Sequence, residues 1–135
     1  MPVTVITRTS CSSSRRAVAW LQDNDIPHIK RTSSESPLSF DEVLKLLIRC
    51  EHGFLDILSV RGRAYASLKD SLANLQLNDL IAKIVEDPSL LRYPIIMDGE
   101  KVLVGFNRSE IRKFTPSDKR KADLRQSLFS AEAYA

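Results

Sequence analysis

The sequence predicts an α/β fold: a small four-stranded mixed sheet with flanking helices and an all-helical segment set into its middle. Three observations predict it. Strand-forming runs lie only in the first thirty or so residues, at Val3–Thr7 and Ile26–Lys30, and again late in the chain, at Ile95–Met97 and Val102–Val104. Between about residues 38 and 88 the apolar residues recur at helical spacing, and turn formers separate them. The chain has 135 residues, 43% of them hydrophobic and 27% charged, which suits one globular domain with a substantial core. Residues 1–135 are therefore read as a single domain, with a core at about 1–35 and 90–130 and a helical insert at about 38–88.

The elements follow in order. Val-Thr-Val-Ile-Thr at residues 3–7 is a β-branched run and predicts a buried strand. Arg15 to Asn24 predicts a helix whose apolar stripe is Ala17, Val18, Trp20 and Leu21, closed by Asp23-Asn24-Asp25. Ile26 to Lys30 predicts a second strand, with Pro27 near its start, where a missing N–H does least harm. Ser39 and Glu42 stand at capping-box spacing before Val43, Leu44, Leu46, Leu47 and Ile48, and Gly53 breaks that helix. Phe54–Leu58, Ala64–Leu68 and Ser71–Leu75 predict short helical turns. Asn78 is expected to cap a helix through Leu80, Ile81, Ile84 and Val85, which Asp87-Pro88 ends. Ile95–Met97 and Val102–Val104 then form strands around Asp98-Gly99. Asn107 and Glu110 open a helix through Phe114, and Asp118–Phe129 predicts a final, basic helix.

This order, β-α-β, helices, β-β, helix, is that of a thioredoxin/glutaredoxin-like core carrying an insert. In such a core a proline ahead of the third strand is usually cis and faces the first strand-to-helix turn. The Tyr93–Pro94 bond is expected to be cis, although only about 5% of X–Pro bonds are.

Composition removes several function classes. The net charge of +3 permits an anionic partner without demanding one. Two cysteines, Cys11 and Cys50, make no disulfide scaffold, so a reducing cytoplasm is expected. No apolar run approaches the roughly 18 residues of a membrane helix, and no signal peptide is visible at the start.

Few residues carry chemistry. Cys11 stands where a helix begins, and free N–H groups there stabilise a thiolate. Such a monothiol is suited to mixed-disulfide chemistry, although it could equally have no role. The N–H groups of Ser12-Ser13-Ser14 could hold an anion or simply cap the helix. Cys50 and His52 form no metal site, because zinc wants four ligands, and His28 reads as structural. No metal and no cofactor are expected. Gly53 suits a left-handed helix end, which also permits close approach of a partner. Arg61 and Arg63 flank Gly62 as a solvated turn or as interface arginines. Residues 112–125 hold six basic and two acidic side chains; Lys119, Arg120 and Lys121 are the candidates for phosphate contact. No base-reading element or aromatic stacking platform is evident.

Taken together, four stretches resemble the Spx branch of the arsenate reductase and Spx (ArsC/Spx) family. They are Cys11 with Arg15-Arg16-Ala17 and Ala19-Trp20-Leu21; Ser36-Pro37-Leu38-Ser39 with Asp41-Glu42; Glu51-His52-Gly53 through Asp56-Ile57-Leu58-Ser59-Val60-Arg61; and Ser89 through Asp98, continuing to Val104-Gly105-Phe106-Asn107 and Glu110-Ile111-Arg112. The resemblance spans roughly residues 2–126. It implies a transcription regulator that docks on the C-terminal domain of the RNA polymerase α subunit and redirects transcription, as in a stress response, without catalytic turnover. It carries Gly53 and Arg61 over as interface residues, with promoter DNA near the complex and a ClpXP-type protease and adaptor as further partners. Two positions depart from the family. Ser14 replaces the second cysteine of Cys-x-x-Cys, so this turn has no intramolecular disulfide switch. Tyr93 replaces the arginine before the proline, which in the family helps to hold anions near the cysteine. The alternative is a monothiol arsenate reductase or glutaredoxin-like oxidoreductase using Cys11; an adaptor for some other protein is a third reading.

Overall fold

The computed structural model describes residues 3–50, 52–99, 101–116 and 125. Its centre is a four-stranded sheet in the order β2-β1-β3-β4. β1 (Val3–Thr7) pairs in parallel with β2 (His28–Thr32) and antiparallel with β3 (Ile95–Met97), which pairs antiparallel with β4 (Val102–Val104). Val5 is the pivot of the register, opposite Lys30 on one side and Ile96 on the other, with Leu103 beyond Ile96. The sheet is therefore mixed, as the sequence predicts.

Alternation along the strands gives the sheet two apolar faces. Val3, Val5, Ile96 and Leu103 point to one side, against Ala17 and Leu21 of α1 (Ser12–Asp23) and Ile111 and Phe114 of a 3₁₀ turn at Glu110–Phe114. Ile6 and Ile95 point to the other side. There they meet Val43, Leu46 and Leu47 of α2 (Phe40–Arg49), Leu68 of α3 (Arg63–Leu68), and Leu80, Ile81 and Ile84 of α4 (Leu77–Glu86). Among the described residues between β2 and β3 the regular elements are all α-helices and 3₁₀ turns, joined by turns and irregular backbone, with one isolated bridge between Leu58 and Leu91.

The capping box that starts α2 forms as spaced. Ser39 Oγ accepts from the Glu42 N–H at 3.2 Å, and Glu42 Oε1 accepts from the Ser39 N–H at 3.0 Å. Glu42 also receives a fork from Arg31 of β2, whose Nη2 lies 2.9 Å from Oε1 and also donates to the Pro37 carbonyl at 2.7 Å. The guanidinium thus closes the connection between β2 and α2.

Four boundaries differ from expectation, each for a local reason. α1 begins at Ser12 rather than Arg15. Serines disfavour helix interiors but suit the first turn, and Cys11 supplies the cap in an extended conformation. β2 begins at His28 because Asp25 is left-handed (φ 53°) and the Ile26 N–H turns back to the Leu21 carbonyl at 2.9 Å. Gln76, not Asn78, is the cap of α4. Its backbone is extended, and its carbonyl accepts from Leu80 N–H at 3.0 Å, which puts Asn78 in the first turn. Glu110–Phe114 is a 3₁₀ rather than an α-helical turn, with Asn107 Oδ1 accepting from the Ser109 and Glu110 N–H groups at 2.9 and 3.1 Å. The expected final helix, with Lys119, Arg120 and Lys121, lies outside the described residues. No helix among the described residues is long and apolar enough to cross a membrane.

Candidate functional site

The first candidate centre is the turn from β1 into α1. Ser10 adopts a left-handed backbone (φ 58°), which turns the chain so that Cys11 caps the helix. Cys11 is half-buried and packs on the core shared with α2 and α4. Burial pushes its thiol pKa up. Hydrogen bonds from the Ser14 hydroxyl and from the Ser14 and Ser13 N–H groups, with the charge of Arg8, outweigh burial and leave it below the ordinary thiol value. Ser14 therefore does more than stand in for a missing cysteine. It is buried, its oxygen accepts from the Arg8 N–H at 3.2 Å, and its hydroxyl serves the Cys11 sulfur. A cavity of about 320 Å³ opens beside them, with Arg8, Arg15 and Lys30 on its walls.

The residue before the proline completes this turn. The Tyr93–Pro94 bond is cis, as expected. Tyr93 is buried at 8% exposure and donates its phenol hydrogen to the Pro88 carbonyl at 2.8 Å. Burial raises its pKa, which disfavours the phenolate, and a phenol has no cationic form, so unlike an arginine it supplies no positive charge here.

The second centre is the turn after α2. Gly53 opens a 3₁₀ turn, Gly53–Asp56, with φ +75°, and a Cβ built there would meet nothing within 4 Å. The residue is needed for its backbone and not for close internal packing. Exposed apolar side chains lie on both sides of it in the chain, Ile48 at 74% and Leu55 at 55%. Beyond them Arg61 is exposed, as are Val60 and Arg63. This loop is tied to the segment that leads into β3. Ser59 N–H donates to the Leu90 carbonyl and Arg92 N–H to the Ile57 carbonyl, each at 2.8 Å. Gly53 and Arg61 are thus held on one short segment whose middle is anchored beside the cis proline.

Cys50 differs from Cys11. Burial and the Asp56 carboxylate raise its pKa, so it remains a thiol. His28 Nδ1 lies 2.8 Å from the Ile26 carbonyl, in keeping with a structural role. One contact has little signal in the sequence: the guanidinium of Arg92 lies against Gly105, which has φ +81°. Gly105 enters the sequence reading only within the stretch Val104-Gly105-Phe106-Asn107, and nothing in the spacing pairs it with Arg92.

Comparison with known proteins fits this geometry. The ArsC family model matches residues 7–114. The chain is 44% identical to the global transcriptional regulator Spx of Streptococcus mutans over 130 residues, which is 96% of this chain and 95% of that one. It is 41% identical to the protein of the same name from Enterococcus faecalis over 129 residues, covering 96% and 98% of the two chains. Among solved structures, an ArsC family related protein from Bacteroides fragilis superposes with a TM-score of 0.76 over 84% of this chain and 98% of that one. At 22% identity this likeness shows the fold.

Proposed function

The chain belongs to the ArsC family, and from that premise we propose that it acts as a global transcription regulator of the Spx type. It docks on the C-terminal domain of the RNA polymerase α subunit and redirects the enzyme among promoters. The observation that carries this reading is the similarity, over nearly the whole length of both chains, to proteins named as that regulator. The surface around Gly53 supports it. A left-handed glycine with open space above it, between exposed Ile48 and Leu55, suits close approach of another protein. Arg61 is exposed on the same anchored segment and is assigned to the interface, where arginine is enriched among energetic hot spots. Ser14 leaves Cys11 without a resolving partner in its turn, so control falls to abundance, through a ClpXP-type protease and adaptor, rather than to a disulfide within the turn. Lys119, Arg120 and Lys121 are assigned to phosphates of promoter DNA in the polymerase complex. The working compartment is the cytoplasm.

Calorimetry of the full chain with the isolated C-terminal domain of the α subunit tests this. Binding at micromolar affinity or better, worth at least about 8 kcal/mol, is expected for the wild type and for Cys11→Ala. Absence of binding by the folded wild type, in both reducing and oxidising buffer, removes the reading.

A second reading rests on one observation, the lowered pKa of Cys11 beside a cavity with basic walls. It makes the protein a monothiol oxidoreductase acting on mixed disulfides or an oxyanion. It requires turnover that Cys11→Ser abolishes. The neutral Tyr93 beside Pro94 weighs against the oxyanion version.

A further inference from the structure

A second cavity, of about 510 Å³, lies between the end of α2 and the outer strand β4. It is lined by Arg49, Arg92, Lys101 and Lys113, against two carboxylates, Asp56 and Glu110. Three of the four cations are held by backbone carbonyls. Arg49 Nη1 donates to Asp98 at 3.2 Å, Lys101 Nζ to Lys113 at 2.8 Å and Lys113 Nζ to Val102 at 2.6 Å. Arg92 is different. It is exposed, and its guanidinium donates no hydrogen bond to any described residue. Yet it is seated: the guanidinium occupies the space a side chain at position 105 would need, with Nε 2.8 Å and Nη2 2.9 Å from where that Cβ would be. Gly105 thus makes room for a cation whose hydrogen-bonding capacity is unspent among the described residues.

We infer that this cavity receives an acidic side chain of the docked protein, with Arg92 as its ion-pairing partner. The inference rests on the reading that the partner is the C-terminal domain of the polymerase α subunit. It extends the interface from the Gly53 turn onto the sheet. The two surfaces are continuous, because His52 and Leu55, from the Gly53 turn, line the same cavity as Arg92 and Val104. The occupant is a carboxylate on a polypeptide rather than a run of phosphates. Asp56 and Glu110 on the walls would repel a continuous polyanion, whereas an isolated carboxylate beside Leu55, Val102 and Val104 meets the Arg92 guanidinium and apolar neighbours.

The test is titration of that α-subunit domain into the wild type, Arg92→Ala, Arg92→Glu and Arg92→Lys at two salt concentrations, with thermal unfolding as the folding check. Arg92→Ala is expected to weaken binding about tenfold, Arg92→Glu to weaken it more, and Arg92→Lys less than either. The salt dependence of binding is expected to be shallower for Arg92→Ala than for the wild type. If the wild type binds and folded Arg92→Glu binds within about twofold of it at low salt, the inference is overturned while the regulator reading stands. If Arg92→Glu leaves this binary complex intact and weakens only a complex containing promoter DNA, the inference is likewise overturned. If the wild type does not bind at all, both fall together.

Discussion

Replacing Gly53 separates a folding effect from an interface effect. Its φ of +75° is a conformation that any L side chain pays to hold, about 1–2 kcal/mol. Nothing lies within 4 Å of the position its Cβ would take, so no clash adds to that figure, and a larger side chain projects into open space. The backbone cost is therefore nearly the same for Gly53→Ala and Gly53→Arg. Against a native stability of about 5–15 kcal/mol, both variants stay folded. A melting point lower by about 3–8 °C is expected for each. They diverge at the interface. A methyl group is tolerated on a surface that a partner covers, whereas an arginine side chain holds the partner away. Denaturant melts should thus give near-equal losses, and calorimetry with the α-subunit domain should show binding by Gly53→Ala and none by Gly53→Arg. A loss in Gly53→Arg of more than about 3 kcal/mol beyond Gly53→Ala refutes this, because the glycine would then be a packing residue. Wild-type binding by folded Gly53→Arg refutes it equally.

Other outcomes follow from the same geometry. Ser14→Ala removes a hydrogen-bond donor to the Cys11 sulfur and the acceptor of the Arg8 N–H. The Cys11 pKa should rise, alkylation at neutral pH should slow, and stability should fall by about 1–2 kcal/mol. The Glu42 carboxyl is held at about 2, first by the hydrogen bonds from Arg31. Its folded value lies below the unfolded one, so its stabilising contribution is present above the ordinary carboxylate range and is lost as pH falls toward 2. The side chain is 41% exposed, so screening limits the pair to about 1 kcal/mol; Glu42→Gln should flatten the acid limb of the stability curve by that amount. Ile81→Ala leaves a hole in a fully buried site under α4 and should cost about 2–5 kcal/mol in a single cooperative denaturant transition.

The architecture is legible in the sequence where pattern is strong. The β-branched run at Val3–Thr7, the Ser39–Glu42 box and Asp98-Gly99 between two apolar triplets each carry a local code, and each forms as read. Boundaries shift where tertiary geometry decides. Nothing in Ile26-Pro27 reveals that Asp25 is left-handed, so the pattern alone starts the strand two residues early. Asn78 has the chemistry of a cap, but the buried positions of Leu80, Ile81 and Ile84 against α2 fix the phase of the helix, and Gln76 takes the cap without using its side chain. For the site, Cys11 and Gly53 are visible because a thiol at a helix start and a glycine at a helix end each have few alternatives. The service of Ser14 to Cys11 and the seat of Arg92 on Gly105 are not, since a hydrogen-bond network and a missing Cβ become legible only when distant residues are brought together.

The sheet has apolar side chains on both faces, and the helices between β2 and β3 cover one of them. Those helices are therefore no detachable module. Ile6 of the first strand and Ile95 of the third lie in the same cluster as Val43, Leu46 and Ile81, and β3 and β4 are only three residues each. Excising the helices would leave a short ribbon with one oily side in water, and a protease that began by pulling on them would take the sheet apart in the same act. Unfolding of such a chain is expected to be all-or-none, with no half-length piece that keeps its fold.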